Sequence, residues 1–417
     1  MKKVLYYGWV LVGVGVLVKA TALGFGRFAY SMLLPSMRES LRFSYVHMGF
    51  LSGGILLGYL LFSFVGGVLA TRFGPKRIVV GALLCSSLSM FSISRMSGFV
   101  PLLAFTFAMG AGAAGAHIAM TTLPMAWFET RRLGTALGVI TGGTGVGVIL
   151  TGLMVPPILL SRGVDGWRVC WAIMALIALT VAVLGFILLK ERPSHPSFPT
   201  GNHSEAGDPP SSPVKSGGLS LRSIVVIYFI FGFAYNIYAT YFVAYMVEDL
   251  FVPEKTAGQI WAVFGWMCMV SGVLWGSVSD RLGRRKALLW NNSIISLGVF
   301  LALCFHRPLW LVLSAFCFGL TFLGTVAVIA AATGDQVGEK RASVYGLITL
   351  IHGIGQFLGT TTGGLLKDLT GSFQLTLLSS LTGFLLCVVL TALSRRGSRP
   401  LPFHGDAGIE HGTCDAG

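Results

Sequence analysis

The sequence predicts an all-α membrane protein, with twelve transmembrane helices in two pseudo-symmetric six-helix bundles. Three observations carry that prediction. Apolar residues make up 54% of the 417 and charged residues only 11%, under half the roughly 25% usual in soluble chains. The apolar residues gather into twelve segments, each near the ~20 residues that a helix needs to cross a bilayer. A basic eleven-residue pattern then occurs twice, 209 residues apart, once after the second segment and once after the eighth.

The predicted spans run over 8–33, 46–70, 77–95, 99–122, 134–160 and 168–189, then 223–247, 257–279, 286–305, 309–332, 342–366 and 372–394. Met1-Lys2-Lys3 ahead of an apolar run imitates a signal peptide. The run is too long for such a core and no small-residue cleavage site follows it, so it reads as the first permanent span. The six-and-six division places an N-terminal bundle at 1–189, a linker at 190–222, a C-terminal bundle at 223–394 and a tail at 395–417. The linker is rich in Pro, Ser and Gly and poor in apolar residues, which suits a flexible connection. Six of the seven cysteines lie in apolar segments at unrelated spacings, without a Cys-x-x-Cys pair. They read as small buried residues, so neither a metal nor another cofactor is expected.

The formal charge of +14 has a topological explanation. With both termini cytoplasmic, the inner segments hold 20 Lys and Arg and the outer ones 8, as the positive-inside rule requires. That accounts for much of the basic excess without nucleic acid as a partner. The expected setting is a cell membrane, bacterial inner membrane by preference, with the chain as a multi-pass monomer.

The repeated pattern reads Gly67-Val68-Leu69-Ala70-Thr71-Arg72-Phe73-Gly74-Pro75-Lys76-Arg77 and Gly276-Ser277-Val278-Ser279-Asp280-Arg281-Leu282-Gly283-Arg284-Arg285-Lys286. Its position in each half implies two homologous six-helix units, as in many transporters. The pair resembles the signature loop of the major facilitator superfamily, and the likeness extends over nearly the whole chain. In that family the acid of the motif caps a neighbouring helix end and helps to hold the inward-closed arrangement. The resemblance therefore implies a gating role for Gly67, Arg72, Gly74, Gly276, Asp280, Arg281, Gly283 and Arg284. Thr71 stands where the first copy would carry its acid, so only the second can form an ionic latch.

Tyr6-Tyr7-Gly8-Trp9, the start of span 5 at Arg131-Arg132-Leu133-Gly134 and Gly166-Trp167-Arg168 resemble bacterial relatives of monocarboxylate transporters and oxalate/formate antiporters. Gly26-Arg27-Phe28-Ala29-Tyr30 with Pro35 looks more like another, largely uncharacterised bacterial branch. Span 8 lacks the arginine that monocarboxylate carriers place there to meet the carboxylate.

The resemblance implies that spans 1, 4, 7 and 10 line a central cavity, that 2, 5, 8 and 11 flank it and that 3, 6, 9 and 12 face outward. On span 1, Lys19, Arg27 and Tyr30 share one broad face. Lys19 reads as near mid-depth, with Arg27 about 12 Å further out toward an outer gate. For both cations a substrate site competes with snorkelling to the headgroups. His117 on span 4 and His352 on span 11 suit proton carriage or plain packing. Tyr345, Thr349, His352 and Gln356 form a polar stripe on span 11. Span 7 has Tyr235 and Asn236, with Tyr238 and Tyr241 as its cavity candidates, and span 10 offers Thr325. The candidate substrate site is therefore Lys19, Arg27, Tyr30, His117, Tyr238, Tyr241, Thr325, His352 and Gln356. Glycines in spans 5 and 11 read as packing positions.

An absence narrows the ligand. All 16 acidic residues fall in loops, tails or helix ends. Two cations in a span with no acid deep in the membrane favour an anionic solute. The expected function is secondary transport of a small organic anion, a carboxylate for preference, by alternating access with proton or anion coupling. Efflux of hydrophobic compounds and a non-transporting sensor with the same fold are the competing readings. No P-loop and no nucleophile triad occurs, so no enzymatic activity is expected.

Overall fold

The computed structural model describes residues 2–191, 219–337 and 341–394. The predicted linker, almost wholly, and the predicted tail, with His404, His411 and Cys414, lie outside them. The N-terminal half contains span 1 (Lys2–Lys19, Ala20–Phe28 and Ala29–Leu41 in one continuous helix), span 2 (Tyr45–Phe73), span 3 (Pro75–Arg95), span 4 (Phe99–Thr122), span 5 (Thr130–Arg162) and span 6 (Gly166–Leu188). The C-terminal half contains span 7 (Leu221–Ala244, continued by Tyr245–Asp249), span 8 (Glu254–Leu282), span 9 (Arg284–Cys304), span 10 (Pro308–Val337), span 11 (Arg341–Thr370) and span 12 (Gln374–Leu393).

Ten stretches among the described residues are long and apolar enough to cross a membrane. One of them, Arg132–Leu188, holds spans 5 and 6 together. Span 11 falls short because its polar stripe dilutes its hydropathy, and twelve helices remain the count. Backbone groups in hydrocarbon must be satisfied internally, which is why helices alone cross here. Exposed Leu88, Phe91, Leu176, Phe186, Leu297 and Leu386 sit on spans 3, 6, 9 and 12, the four helices expected to face lipid.

The repeat is written into the backbone. The described residues with positive φ are Arg42, Phe251, Gly74, Gly163, Gly283 and Gly371. They form three pairs, Arg42 with Phe251, Gly74 with Gly283 and Gly163 with Gly371, spaced 209, 209 and 208 positions apart. Gly74 and Gly283 share φ +88°; each closes one helix and opens the next, a geometry that costs an L side chain energy. Those two glycines are what the signature motif needs sterically. By contrast, a methyl group on Gly276 would meet nothing within 4 Å, and one on Gly67 only Ile118 at 3.8 Å.

The halves meet where helices approach closely. A Cβ on Gly145 would lie 2.4 Å from the Gly265 carbonyl oxygen, and one on Gly152 2.4 Å from that of Gly258. Spans 5 and 8 thus touch backbone to backbone, the close approach that glycine allows. Spans 2 and 11 do the same at Gly49, beside the Thr360 carbonyl, while at Gly353 the Leu60 side chain fills the space. The face holding the chain start and the ends of spans 6 and 12 is here called the linker face; the other is the opposite face.

Candidate functional site

Span 1 determines where its two cations lie. The helix continues to Leu41, eight residues beyond its predicted limit, because apolarity marks only the part of a helix in hydrocarbon. It also begins at Lys2, six residues before its predicted start, so its own midpoint does not separate the two cations. Their partners do: the Arg27 guanidinium donates to Tyr235 Oη and, at 2.6 Å, to Gln356 Oε1. Both lie midway along their helices, spans 7 and 11. The expected depths are thus reversed: Arg27 is the central cation, and Lys19 lies toward the linker face.

Between Lys19 and Arg27 the chain adopts π-helix over Ala20–Phe28. Such wide turns are rare and cluster at functional sites. The segment presses on span 5, where a Cβ on Gly147 would fall 2.3 Å from Ala20 O and 2.7 Å from Gly24 Cα.

Arg27 has only neutral partners among the described residues. Tyr235 Oη also donates to Gln356 Oε1 at 3.0 Å, and Asn236 Nδ2 donates to the Gln356 carbonyl at 3.2 Å. The guanidinium carbon lies 5.3 Å from the Tyr59 ring centroid and 5.6 Å from that of Phe28. On the opposite-face side of Arg27 is a small cavity, lined by Arg27, Phe28, Tyr30, Ser31, Ser52, Ile55, Leu56, Asn236, Ala239 and Thr240. Ser52 and Thr240 hydroxyls meet across the halves at 3.3 Å, and Ser31 donates to the Ala239 carbonyl.

The other predicted residues divide. Gln356 joins Arg27, and Tyr30 lines the cavity while donating to the Met48 carbonyl at 2.7 Å. His352 sits just behind, its Nδ1 2.8 Å from the Tyr228 carbonyl and its ring stacked on Tyr228 at 3.8 Å. Tyr238 is turned away, fully buried between Phe242 and Phe318 with its hydroxyl on Ser314 at 2.7 Å. Thr325 is likewise turned away, donating to Asn291 Oδ1 at 2.5 Å on span 9. Tyr241 donates to the Thr360 carbonyl at 2.6 Å where spans 7 and 11 approach span 2. Aromatic packing explains the misplacement on span 7, since a tyrosine stripe on a helix fits a protein core as well as a cavity.

Lys19 is fully buried. Its Nζ lies 2.8 Å from His117 Nδ1 and 3.3 Å from the His117 carbonyl oxygen, within the N-terminal half and off the Arg27 cluster. Tyr235, Asn236, Ser31, Ser52, Thr240 and Tyr59 were not selected from sequence. The signal for Tyr235 and Asn236 was their neighbourhood to Tyr238; a serine in an apolar helix gives none, because it can bond its own backbone.

The polar links between halves all lie at Arg27 or toward the opposite face, among the described residues. There the Asp368 carboxylate accepts from Tyr45 N at 2.9 Å and Val46 N at 2.8 Å, capping span 2 from span 11. Arg38 and Glu248 stand 3.9 Å apart. Lys367 pairs with Asp249 at 2.6 Å, and Asp249 also accepts from Phe373 N at 2.6 Å. At the linker face Asp280 is 68% exposed and pairs with Arg284 at 2.5 Å; Arg284 also reaches Asp335 at 2.9 Å. This motif cluster stays within the C-terminal half, so the latch that the resemblance implied does not join the halves in this arrangement. Arg72 and Arg281 are exposed.

A family model described as "Uncharacterised MFS-type transporter YbfB" matches residues 19–392. The chain belongs to the major facilitator superfamily. It is similar to the hexuronate transporter of Bacillus subtilis, 26% identical over 376 residues, or 84% of this chain and 85% of that one. A probable sulfoacetate transporter of Cupriavidus necator is 22% identical over 369 residues, covering 84% and 85%. A putative tartrate transporter of Agrobacterium vitis is 22% identical over 403 residues, covering 87% and 85%. Among solved structures, an inward-facing bacterial homologue of the lysosomal transporter Spinster superposes with a TM-score of 0.73 at 14% identity, covering 93% and 96%. A D-xylose–proton symporter gives 0.71 at 15% identity, covering 93% and 98%. At such identities these two establish the fold alone. The family and the named relatives are transporters, not enzymes.

Proposed function

We propose that this major facilitator superfamily member carries a small organic anion, a hydroxylated carboxylate for preference, by alternating access around Arg27. One observation carries the reading: a guanidinium in the middle of the molecule, at the seam between halves, bonded among the described residues only to neutral oxygens. An arginine held by a phenol and an amide keeps a full positive charge available. A planar carboxylate can replace those partners with two parallel, charge-assisted bonds. The neutral groups around it suit a ligand with hydroxyls, since Ser31, Ser52, Asn236 and Thr240 line the adjoining cavity. The relatives named for hexuronate, sulfoacetate and tartrate favour the same class, organic anions.

Tyr235 and Gln356 come from the C-terminal half and Arg27 from the N-terminal half, so a bound anion would bridge the two. The polar latches around Asp368 and Glu248 hold the opposite face closed, which by the positive-inside count is the outside of the cell. In this reading the arrangement is closed outward, and the exposed Asp280 motif is disengaged until the inner face closes. D-glucuronate binding to the purified protein tests the proposal. Thermal stabilisation by D-glucuronate and L-tartrate, absent in Arg27→Ala, supports it; stabilisation by lipophilic cations alone refutes it.

A further inference from the structure

Lys19 and His117 form a buried ionisable pair that the anion site does not use. The groups facing the pair can be named helix by helix. On span 1 the next cation is Arg27, across the π segment. Span 2 brings the Tyr59 ring, its centroid 6.1 Å from that of His117. Span 3 packs Ala82 on Gly115 and keeps Lys76 and Arg77 at its linker-face end, Lys76 lying over Phe186. Span 4 contributes only His117. Span 5 meets Lys19 with Gly143 and has no ionisable side chain from Leu133 to Leu160. Span 6 has none from Trp171 to Leu188. No carboxylate reaches the pair among the described residues.

The 2.8 Å contact fixes the bookkeeping. The Lys19 ammonium donates to an unprotonated Nδ1, or an imidazolium Nδ1–H donates to a neutral amine, and each of these forms carries one positive charge; a neutral imidazole against a neutral amine carries none. Two charges at this spacing, without an acid and away from water, repel too strongly to coexist. The pair therefore holds one charge or none. His117 is half-buried while Lys19 is sealed, so the imidazole is the pair's contact with its surroundings.

We propose that the Lys19–His117 pair is the proton-binding site of a proton–anion symport cycle, an inference that rests on the anion reading for Arg27. A proton arriving through His117 forms one N–H bond and gives the pair its charge. Eight residues along span 1, about 12 Å, that charge strengthens anion binding at Arg27 by about tenfold. When the anion departs on the linker face, two neighbouring cations remain unneutralised. The N–H bond then breaks and the proton passes to water. Proton and anion thus leave together, with no carboxylate relay.

The test uses D-glucuronate as probe, purified wild type, Lys19→Met and His117→Gln. Affinity is measured at pH 5.5 and pH 8, and proteoliposomes with an internal pH dye report uptake under a proton gradient and exchange without one. The expected wild type binds about tenfold more tightly at pH 5.5 and admits protons with the probe. In each variant the pH dependence of affinity and the ratio of gradient-driven uptake to exchange both fall toward one. His117→Gln, at the half-buried partner, decides the outcome should Lys19→Met fail to fold. Pair variants that keep the wild-type ratio overturn the inference, as does pH-insensitive binding in the wild type. A wild type that neither binds nor exchanges D-glucuronate overturns the anion reading and this inference with it.

Discussion

Arg27 and Lys19 look alike in sequence and differ in surroundings. Arg27 is partly exposed at the seam between halves, and Lys19 is sealed against His117. The sequence showed that both were unpaired by acid; it did not show which was central, because that depends on the partners other helices bring, Tyr235 and Gln356 to Arg27 and His117 to Lys19. Residue types were legible and directions were not. Gln356 was found from its stripe, whereas Tyr238 and Thr325 belong to the core of the C-terminal half. On the account above, Arg27→Lys weakens D-glucuronate binding roughly ten- to hundredfold, because a point charge loses the paired bonds. Tyr235→Phe should weaken it by about fivefold, the worth of one neutral hydrogen bond. Isothermal titration at fixed pH measures both.

Helices pack where glycine removes side chains. The glycines of spans 5 and 11 were readable as packing positions, and the structure supplies their partners: Ala20 and Gly24, Gly258 and Gly265, Phe229 and Phe233. The π segment of span 1 was not readable, because nothing in Ala20–Phe28 distinguishes i→i+5 bonding from ordinary helix. Gly147→Leu must displace that segment and should destabilise the protein by about 1–3 kcal/mol or more, the cost of overpacking. Gly13→Ala, with nothing within 4 Å of the added methyl, should leave stability unchanged or raise it by up to ~1 kcal/mol. Thermal unfolding in detergent compares the two.

At the scale of the whole molecule the duplication was legible twice over, in the motif and in hydropathy. The backbone repeats it in three positive-φ pairs. The conformation was not legible, because the proposed cycle has two arrangements and the sequence does not say which contacts are closed. Here the closed contacts are on the opposite face, where Asp368 caps span 2. Losing such a cap costs about 0.5–2 kcal/mol, so on the proposed cycle Asp368→Ala should shift the population toward the form open at this face by roughly two- to thirtyfold. A cysteine placed at Ser52, in a background without the native cysteines, should then react faster with an impermeant thiol reagent added outside. Unchanged labelling would remove Asp368 from the gate.

The central claim is that Arg27 receives an organic anion. Counterflow in proteoliposomes loaded with D-glucuronate and challenged with a panel of carboxylates and lipophilic cations tests it most directly. The account predicts exchange with hydroxylated carboxylates, lost in Arg27→Ala and partly kept in Arg27→Lys. Exchange by Arg27→Ala at the wild-type rate, or exchange with lipophilic cations only, would contradict it.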